Sequence, residues 1–384
     1  MNEDVQGRVR ELLTSDGGVP ADHGRDVDRF YAETVPALAK RGLFGLLIPQ
    51  AYGGHGYTVE QYVAAIEEIA AHDMMAAYSI NEHSTIGTLG LVQYGSEQQK
   101  AALLPALAAG EVLAAFCLTE PASGSDITSL GTHAAPREGG YVLNGKKIHI
   151  SLAHHARLFT VLAQVTGSEG PARKAAFLIS RDNPGLSNGP ENSSPPGYLI
   201  PIAGSVVLDG CEVQDSDVLG AVGAGGRIFK QALETARVGL AGAYVGNGRD
   251  ALARTVARVV ERRSFGQRVA DHQMVQAKIA DMHVSVEAGR QLVRHAARVI
   301  DTEPEAATAV CAAAKVFVTE AAQRIGADAV QLFGGAAFLV EPPVDWYLRD
   351  AKMGDILGGT SEVMRLLIAK DVVGRHTLAV EARA

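Results

Sequence analysis

The sequence predicts an α+β protein in which a helical zone, a small β domain and a second zone of long helices follow one another. Two observations carry this expectation. Apolar residues recur at helical spacing up to about residue 113 and again from Ile228 onward, while the stretch between alternates or runs apolar over strand lengths. Helices and strands also never alternate as βαβ units, which speaks against a doubly wound parallel sheet. The expected domains are 1–113, helical; 114–222, β; and 223–384, a helical bundle.

Each element follows from local signals. Residues 28–41 carry apolar positions at helical spacing and stop at Gly42. Thr58 precedes Val59-Glu60-Gln61, a capping-box start, and Ser96 opens a further helix that ends near Gly110. In the middle zone, Tyr141 to Ile150 reads as two strands joined at Asn144-Gly145, a strong hairpin signal. Residues 159–165, 175–179 and 205–208 read as further strands, and 183–197 is a loop rich in Pro, Gly, Asn and Ser. Long Ala- and Val-rich helices are expected over 226–262, 271–300, 304–332 and 360–373, suited to an antiparallel bundle.

Composition narrows the function classes. The 384 residues allow two or three domains. A net charge of −8 disfavours nucleic acid and anionic membrane surfaces, both of which need a basic face. Three widely spaced cysteines give neither a disulfide framework nor a CxxC metal site. The polar N-terminus lacks the apolar core of a signal peptide, and residues 42–48 are too short to span a bilayer. A soluble cytoplasmic protein with no metal is expected.

Several tempting motifs fail on context. The glycines of 220–226 precede a long helix with no strand after it, so a dinucleotide-binding turn is rejected for a β-to-helix junction. His149, His154 and His155 lack further ligands at metal-site spacing. Ser123-Gly124-Ser125 is not a Gly-x-Ser-x-Gly elbow.

Four segments are informative together: Phe116 to Asp126; Asn144 to Ser151; Arg262 to Met282; and Gln331 to Gly335 with Arg349 to Arg365. In this order and over nearly the whole chain they resemble the acyl-CoA dehydrogenase family. The resemblance implies FAD lying between a β domain and a helical bundle, an acyl-CoA or acyl-carrier-protein thioester as substrate, and an electron-acceptor flavoprotein or oxygen as oxidant. It further implies a homotetramer or homodimer. Residue by residue, it implies that Thr119, with backbone donors around Leu118 and next to Phe116, serves the flavin pyrimidine side, where negative charge develops on reduction. Ser151 matches the position beside flavin N5, with His149 adjoining. Gly124 and Ser125 match residues near the diphosphate and ribityl chain, and Arg262 offers a cation to the diphosphate. Phe265, Gln273, Gln331 and Gly335 match adenosine-side contacts from a neighbouring subunit, and Thr360 and Glu362 a helix start that touches the cofactor.

The family places its catalytic glutamate at one of two positions, occupied here by Gly358 and by Ala236, which precedes Arg237. Glu234 should point away, about 200° round the helix from Ala236. His83 and Glu82 are the candidates for a relocated base. The expected function is therefore FAD-dependent oxidation of a specialised, biosynthetic acyl thioester. Alternatives are a flavin-dependent monooxygenase or oxidase on the same fold and a non-catalytic assembly protein.

Overall fold

The structure is a computed structural model that describes residues 2–15, 17–21, 26–127, 129–189, 203–340 and 342–381. The helices are α1 (Asn2–Thr14), α2 (Val27–Arg29), α3 (Val35–Lys40), α4 (Val59–His72), α5 (Met74–Asn81), α6 (Leu89–Tyr94) and α7 (Glu97–Ala108). After the strands come α8 (Gly225–Glu261), α9 (Gln273–Thr302), α10 (Ala307–Phe333), α11 (Asp345–Gly354) and α12 (Ser361–Glu381). The strands are β1 (Ala114–Cys117), β2 (His133–Arg137), β3 (Gly140–Ser151), β4 (Leu158–Val165), β5 (Lys174–Ser180), β6 (Leu186–Asn188), β7 (Ala203–Gln214) and β8 (Val218–Leu219), with a small hairpin of β9 (Arg263–Ser264) and β10 (Gln267–Arg268) between α8 and α9. By contacts the chain groups into two units. A sheet unit holds residues 25–57 and 78–236, and a bundle unit holds 1–24, 58–77 and 237–384.

In the sheet unit the strand order is β6-β7-β3-β2-β4-β5-β8, with β1 parallel to β4. One face of β4 and β5 buries Leu158, Leu162 and Leu178 against Leu104, Leu107 and Ile228. Phe116 of β1 stacks on Phe229 of α8 with ring centroids 4.1 Å apart. Such aromatic pairs add about 0.5–1.5 kcal/mol beyond their buried area, and this one anchors the strand that leads to Thr119.

In the bundle unit α10 packs on α9, α11 and α12, while α4 packs on α1 and α9. Gly246 of α8 lets that helix close on α4, since a Cβ there would lie 2.1 Å from the Glu67 carbonyl oxygen. The buried Glu67 and Glu68 are met by Arg249, and by Arg290 and Arg10 respectively. No helix among the described residues is long and apolar enough to cross a membrane.

Both capping boxes form: Thr58 with Gln61, and Ser96 with Gln99. Three of the four long helices, α8, α9 and α10, fall within a few residues of their expected spans, whereas α12 starts as expected and runs on to Glu381, past the expected end at 373. The Asn144-Gly145 hairpin does not form. β3 runs straight through it, with a shift of register against β7 between Leu143 and Gly145. Gly145 is needed there for room, because a Cβ would lie 2.4 Å from Thr132 Oγ1. The turn falls earlier, at Glu138-Gly139, between the paired Arg137 and Gly140, with Gly139 at φ +71°. The expected loop at 183–197 lies outside the described residues from 190 onward.

Candidate functional site

Thr119 leaves the end of β1 in a segment fixed from below. The buried Lys147 ammonium donates to the carbonyls of Leu118 (3.1 Å) and Leu162 (2.8 Å) and to Glu120 Oε1 (2.7 Å). Ile148 N–H donates to the Thr119 carbonyl at 2.9 Å. Glu120 also accepts the backbone N–H groups of Gly131 and Thr132. Burial pushes the Glu120 carboxyl up, but the Lys147 ammonium and these donors outweigh it and hold it below the usual range. Lys147 itself is lowered by burial, with Glu120 opposing. With both charges satisfied, Thr119 is held with its side chain half-buried rather than enclosed.

Ser151 ends β3 just past a second register shift, between Lys147 and Ile150. The bulge places His149 at φ +54° and Leu152 at φ +61°, a left-handed region that non-glycine residues seldom occupy. The Tyr78 hydroxyl lies 2.8 Å from Ser151 Oγ. Glu82, one helical turn beyond Tyr78, is within hydrogen-bonding reach of Ser151 and of the Asn81 side chain. Burial pushes the Glu82 carboxyl up to about 7, the two hydrogen bonds opposing. Part of Glu82 nonetheless stays open to solvent. Burial and then the Glu82 carboxylate drive Tyr78 well above its ordinary value, and Tyr31 adds to the rise. The Tyr31 hydroxyl is buried without a hydrogen-bond partner, and its ring stacks on His155 at 3.3 Å.

His83 is placed differently. Its Nδ1 accepts the Ala114 N–H (3.1 Å) and its Nε2 meets the Leu107 carbonyl (3.1 Å), so the ring is the neutral Nε2–H tautomer with both nitrogens committed to backbone. Burial lowers it to about 4. His83 therefore fastens β1 to α7, and of the two neighbouring candidates only Glu82 keeps a functional group directed at Ser151.

The two positions at which the resemblance expects a glutamate hold other chemistry. Ala236 is a buried residue of α8 whose carbonyl accepts from Asn81 Nδ2 at 3.2 Å. Gly358 sits at φ +66°, and its carbonyl accepts from Arg237 Nε at 2.7 Å. Lys315 donates to the Gly359 carbonyl at 2.8 Å. Glu234 faces Lys230 (3.5 Å), and Asp355 is bonded to Lys352, Gln323 and Ser361. Thr360 Oγ1 caps α12 by accepting the Val363 N–H, and Glu362 lies exposed in its first turn.

In the bundle unit, Arg262, Phe265 and Gln273 gather around the β9–β10 hairpin. The Arg262 carbonyl accepts the Val269 N–H, and Phe265, 96% exposed at φ +50°, projects from the turn. The Arg258 guanidinium over the Phe333 ring brings the end of α8 to the Gln331–Gly335 end of α10. All five of Arg262, Phe265, Gln273, Gln331 and Gly335 are exposed. Gly124 and Ser125 are exposed in the loop after β1, with open space where a Gly124 Cβ would stand. Sequence reading passed over Tyr78 and Tyr31; the Tyr78–Glu82 spacing of one helical turn was the available signal.

Three family models match the chain: the acyl-CoA dehydrogenase N-terminal domain over residues 2–111, the middle domain over 115–210 and the C-terminal domain over 223–373. The chain is 34% identical over 370 residues to a Bacillus subtilis acyl-CoA dehydrogenase, covering 95% of this chain and 96% of that one. It spans about half the length (52%) of the human very long-chain specific acyl-CoA dehydrogenase that it matches. Its structure is similar to butyryl-CoA dehydrogenase from Megasphaera elsdenii, with a TM-score of 0.90, 30% identity and coverage of 97% and 98% of the two chains. It is likewise similar to the prolyl acyl carrier protein oxidase AnaB, with a TM-score of 0.90, 26% identity and the same coverage.

Proposed function

The chain belongs to the acyl-CoA dehydrogenase family, and on that premise we propose that it is an FAD-dependent oxidoreductase of a specialised, biosynthetic acyl thioester, carried on coenzyme A or an acyl carrier protein. The observation that carries the reading is a contrast within one sequence. Thr119 and Ser151, which the resemblance assigns to the flavin, are both present as half-buried hydroxyls, while Gly358 and Ala236, where the resemblance puts the family base, carry no carboxylate.

The residues fit the cofactor. Thr119 and Ser151 are hydroxyls kept partly open, Gly124 leaves its surroundings clear, and Arg262 is an exposed cation suited to a diphosphate. When bound, FAD supplies the two-electron acceptor for a hydride. The chain's own part is to present hydrogen-bond donors at Thr119 and Ser151, to keep Lys147 and Glu120 as their rigid support, and to offer Arg262, Phe265, Gln273, Gln331 and Gly335 to the adenosine of a neighbouring subunit. The exposed Phe265, Met274, Leu339 and Leu366 of the bundle unit support assembly as a homotetramer or homodimer.

A positioned base contributes about 10²–10⁴-fold. Its absence from both usual positions favours a substrate with a more acidic hydrogen, or a base placed elsewhere, over routine fatty-acid oxidation. Electrons then pass to an electron-transferring flavoprotein; the oxidase reading, in which oxygen takes them, is kept because of the structural likeness to an acyl carrier protein oxidase.

The test is direct. Purified protein should be yellow with bound FAD, and thioesters of varied acyl group, on coenzyme A and on carrier protein, are added without oxygen. Bleaching of the flavin by one of them supports the reading. Protein that stays colourless after addition of FAD overturns it, and bleaching that needs an external reductase, with oxygen from O₂ in the product, establishes a monooxygenase instead.

A further inference from the structure

Resting on the dehydrogenase reading above, we infer that Glu82 is the proton acceptor of the reaction, oriented by Ser151, Asn81 and Tyr78. Three independent features meet at this carboxylate. Glu67, Glu68, Glu120 and Glu234 are buried and each faces a cation. Glu82 is walled in by protein yet its hydrogen-bond partners, Ser151 and Asn81, are neutral. A carboxylate held in this way costs stability, and carboxyls kept despite that cost cluster at functional sites.

The backbone adds the second feature. The two π-helical turns among the described residues are Phe30–Thr34 and Glu82–Gly87, and they carry Tyr31 and Glu82. Such widened turns recur at functional sites because they push one residue out of helical register. The third is Ser151 itself, set by a bulge with left-handed residues on both sides and bonded to Tyr78.

The acyl thioester loses two hydrogens. One leaves as hydride with the electron pair of its C–H bond and reduces FAD by two electrons. The other leaves as a proton to a Glu82 carboxylate oxygen, and the electron pair it leaves behind becomes the new π bond of the product. Glu82 then returns the proton to water. A group that titrates near neutrality, as burial makes Glu82 do, both accepts and releases a proton at working pH. The groups around it are Tyr78 and Asn81 from its own helical stretch and Ser151 from β3, with Tyr31 from the other π turn acting on Tyr78 behind them. His83 is committed to backbone, and on α8 Glu234 faces Lys230 while Arg237 is bonded to the Gly358 carbonyl.

The experiment compares FAD-loaded wild type, Glu82→Gln and Glu82→Asp. First, without any thioester, the visible spectrum of bound flavin is followed from pH 5 to 9. Wild type should show a one-proton transition near 7, Glu82→Gln none, and Glu82→Asp a displaced one. Second, with the thioester that bleaches wild type, the anaerobic bleaching rate of Glu82→Gln should fall about 10²–10⁴-fold, with partial rescue in Glu82→Asp. The inference is overturned if wild type lacks the transition, if Glu82→Gln keeps it, or if Glu82→Gln bleaches within about threefold of wild type. If no thioester bleaches yellow wild type, the dehydrogenase reading fails while the spectral result still decides whether Glu82 titrates against the flavin. Should Glu82→Gln prove unfolded by circular dichroism, Tyr78→Phe replaces it: loss of the Ser151 bond should shift the transition, and an unmoved transition overturns the inference.

Discussion

Replacing Lys147 by methionine should be among the costliest single changes in the sheet unit, and its magnitude can be worked from the geometry. The ammonium, fully buried, serves three acceptors at once, and methionine fills the volume but serves none. Glu120, 5% exposed, then has two escapes. It can remain charged without its cation, which for a buried pair costs about 3–5 kcal/mol. Or it can take up a proton, which at pH 7 against an ordinary carboxyl near 4.5 costs about 3 kcal/mol at 1.36 kcal/mol per unit. The two routes converge on a loss of about 3 kcal/mol, or roughly 6–12 °C in Tm for a unit of this size.

The second route also sets a pH signature. Glu120 is held below its ordinary value in the wild type, so the pair's contribution is fully present above pH 4.5 and is lost as pH falls through the lowered value. In Lys147→Met the cost of protonating Glu120 shrinks toward pH 5. The deficit against wild type, measured by urea unfolding at pH 7 and pH 5, should therefore be smaller at pH 5. The double variant with Glu120→Gln should recover a large part of the loss, because no buried charge is left behind. A deficit under about 1 kcal/mol at pH 7, or one equal at both pH values, would refute the account of this pair.

Other outcomes follow from the same geometry. His83, lowered to about 4 by burial, binds fewer protons folded than unfolded between pH 6.5 and 4, so it should cost the wild type about 3 kcal/mol over that acid window; His83→Gln should flatten that part of the urea-derived stability profile. Glu82, raised to about 7, acts with the opposite sign, and Glu82→Gln should remove a loss of stability that accumulates as pH rises from 4.5 to 7. Glu67→Gln, which deprives Arg249 and Arg290 of their shared carboxylate, should lower stability by about 2–3 kcal/mol, below the full buried-pair cost because both guanidiniums keep some solvent; calorimetry checks this. Gly358→Glu should fold with a loss of about 1–2 kcal/mol from the left-handed backbone rather than from a clash, since a Cβ there meets Arg237 Cγ at an ordinary 3.5 Å. A collapse of thermal stability beyond that would contradict the open space seen at Gly358.

What could be read from the sequence depended on how local its cause was. Thr58 with Gln61 and Ser96 with Gln99 are satisfied within one turn of chain, and both form as read. Asn144-Gly145 carries the same kind of local signal, yet Thr132 on the neighbouring segment needs the space of Gly145, and the long pairing of β3 with β7 overrides the turn. α1 was passed over because its sequence is polar; it is held by the buried Val5, Val9 and Leu13 and by Arg10 reaching Glu68. The difference between Glu82 and His83 was out of reach for the same reason: adjacent residues on a helix face about 100° apart, and only the positions of Ser151, Leu107 and Ala114 decide which of the two is spent on structure.

The departures from ordinary backbone geometry are not scattered. The non-glycine residues at positive φ among the described residues are His149, Leu152 and Phe265. Two of them are residues that the resemblance assigns to the cofactor, His149 beside the flavin and Phe265 at the adenosine, and the third adjoins Ser151. The two π-helical turns bear Tyr31 and Glu82, whose effects meet at Tyr78. Strained conformations of this kind cost about 1–3 kcal/mol each and persist where surrounding structure over-determines them. At Ser151 that structure is identifiable: Lys147 pinned beneath β3, Leu152 fully buried, and the Tyr78 hydroxyl on Ser151 Oγ. The strain fixes the direction of one hydroxyl, and the carboxylate it reaches, Glu82, faces no cation among the described residues that would hold it permanently charged. If the chain used this region only for packing, a relaxed strand and an apolar residue at 82 would be more stable, so Glu82→Leu paired with Tyr78→Phe should raise Tm while abolishing the pH response of the bound flavin. A double variant that melts lower than wild type would mean that the cluster serves the fold rather than the chemistry.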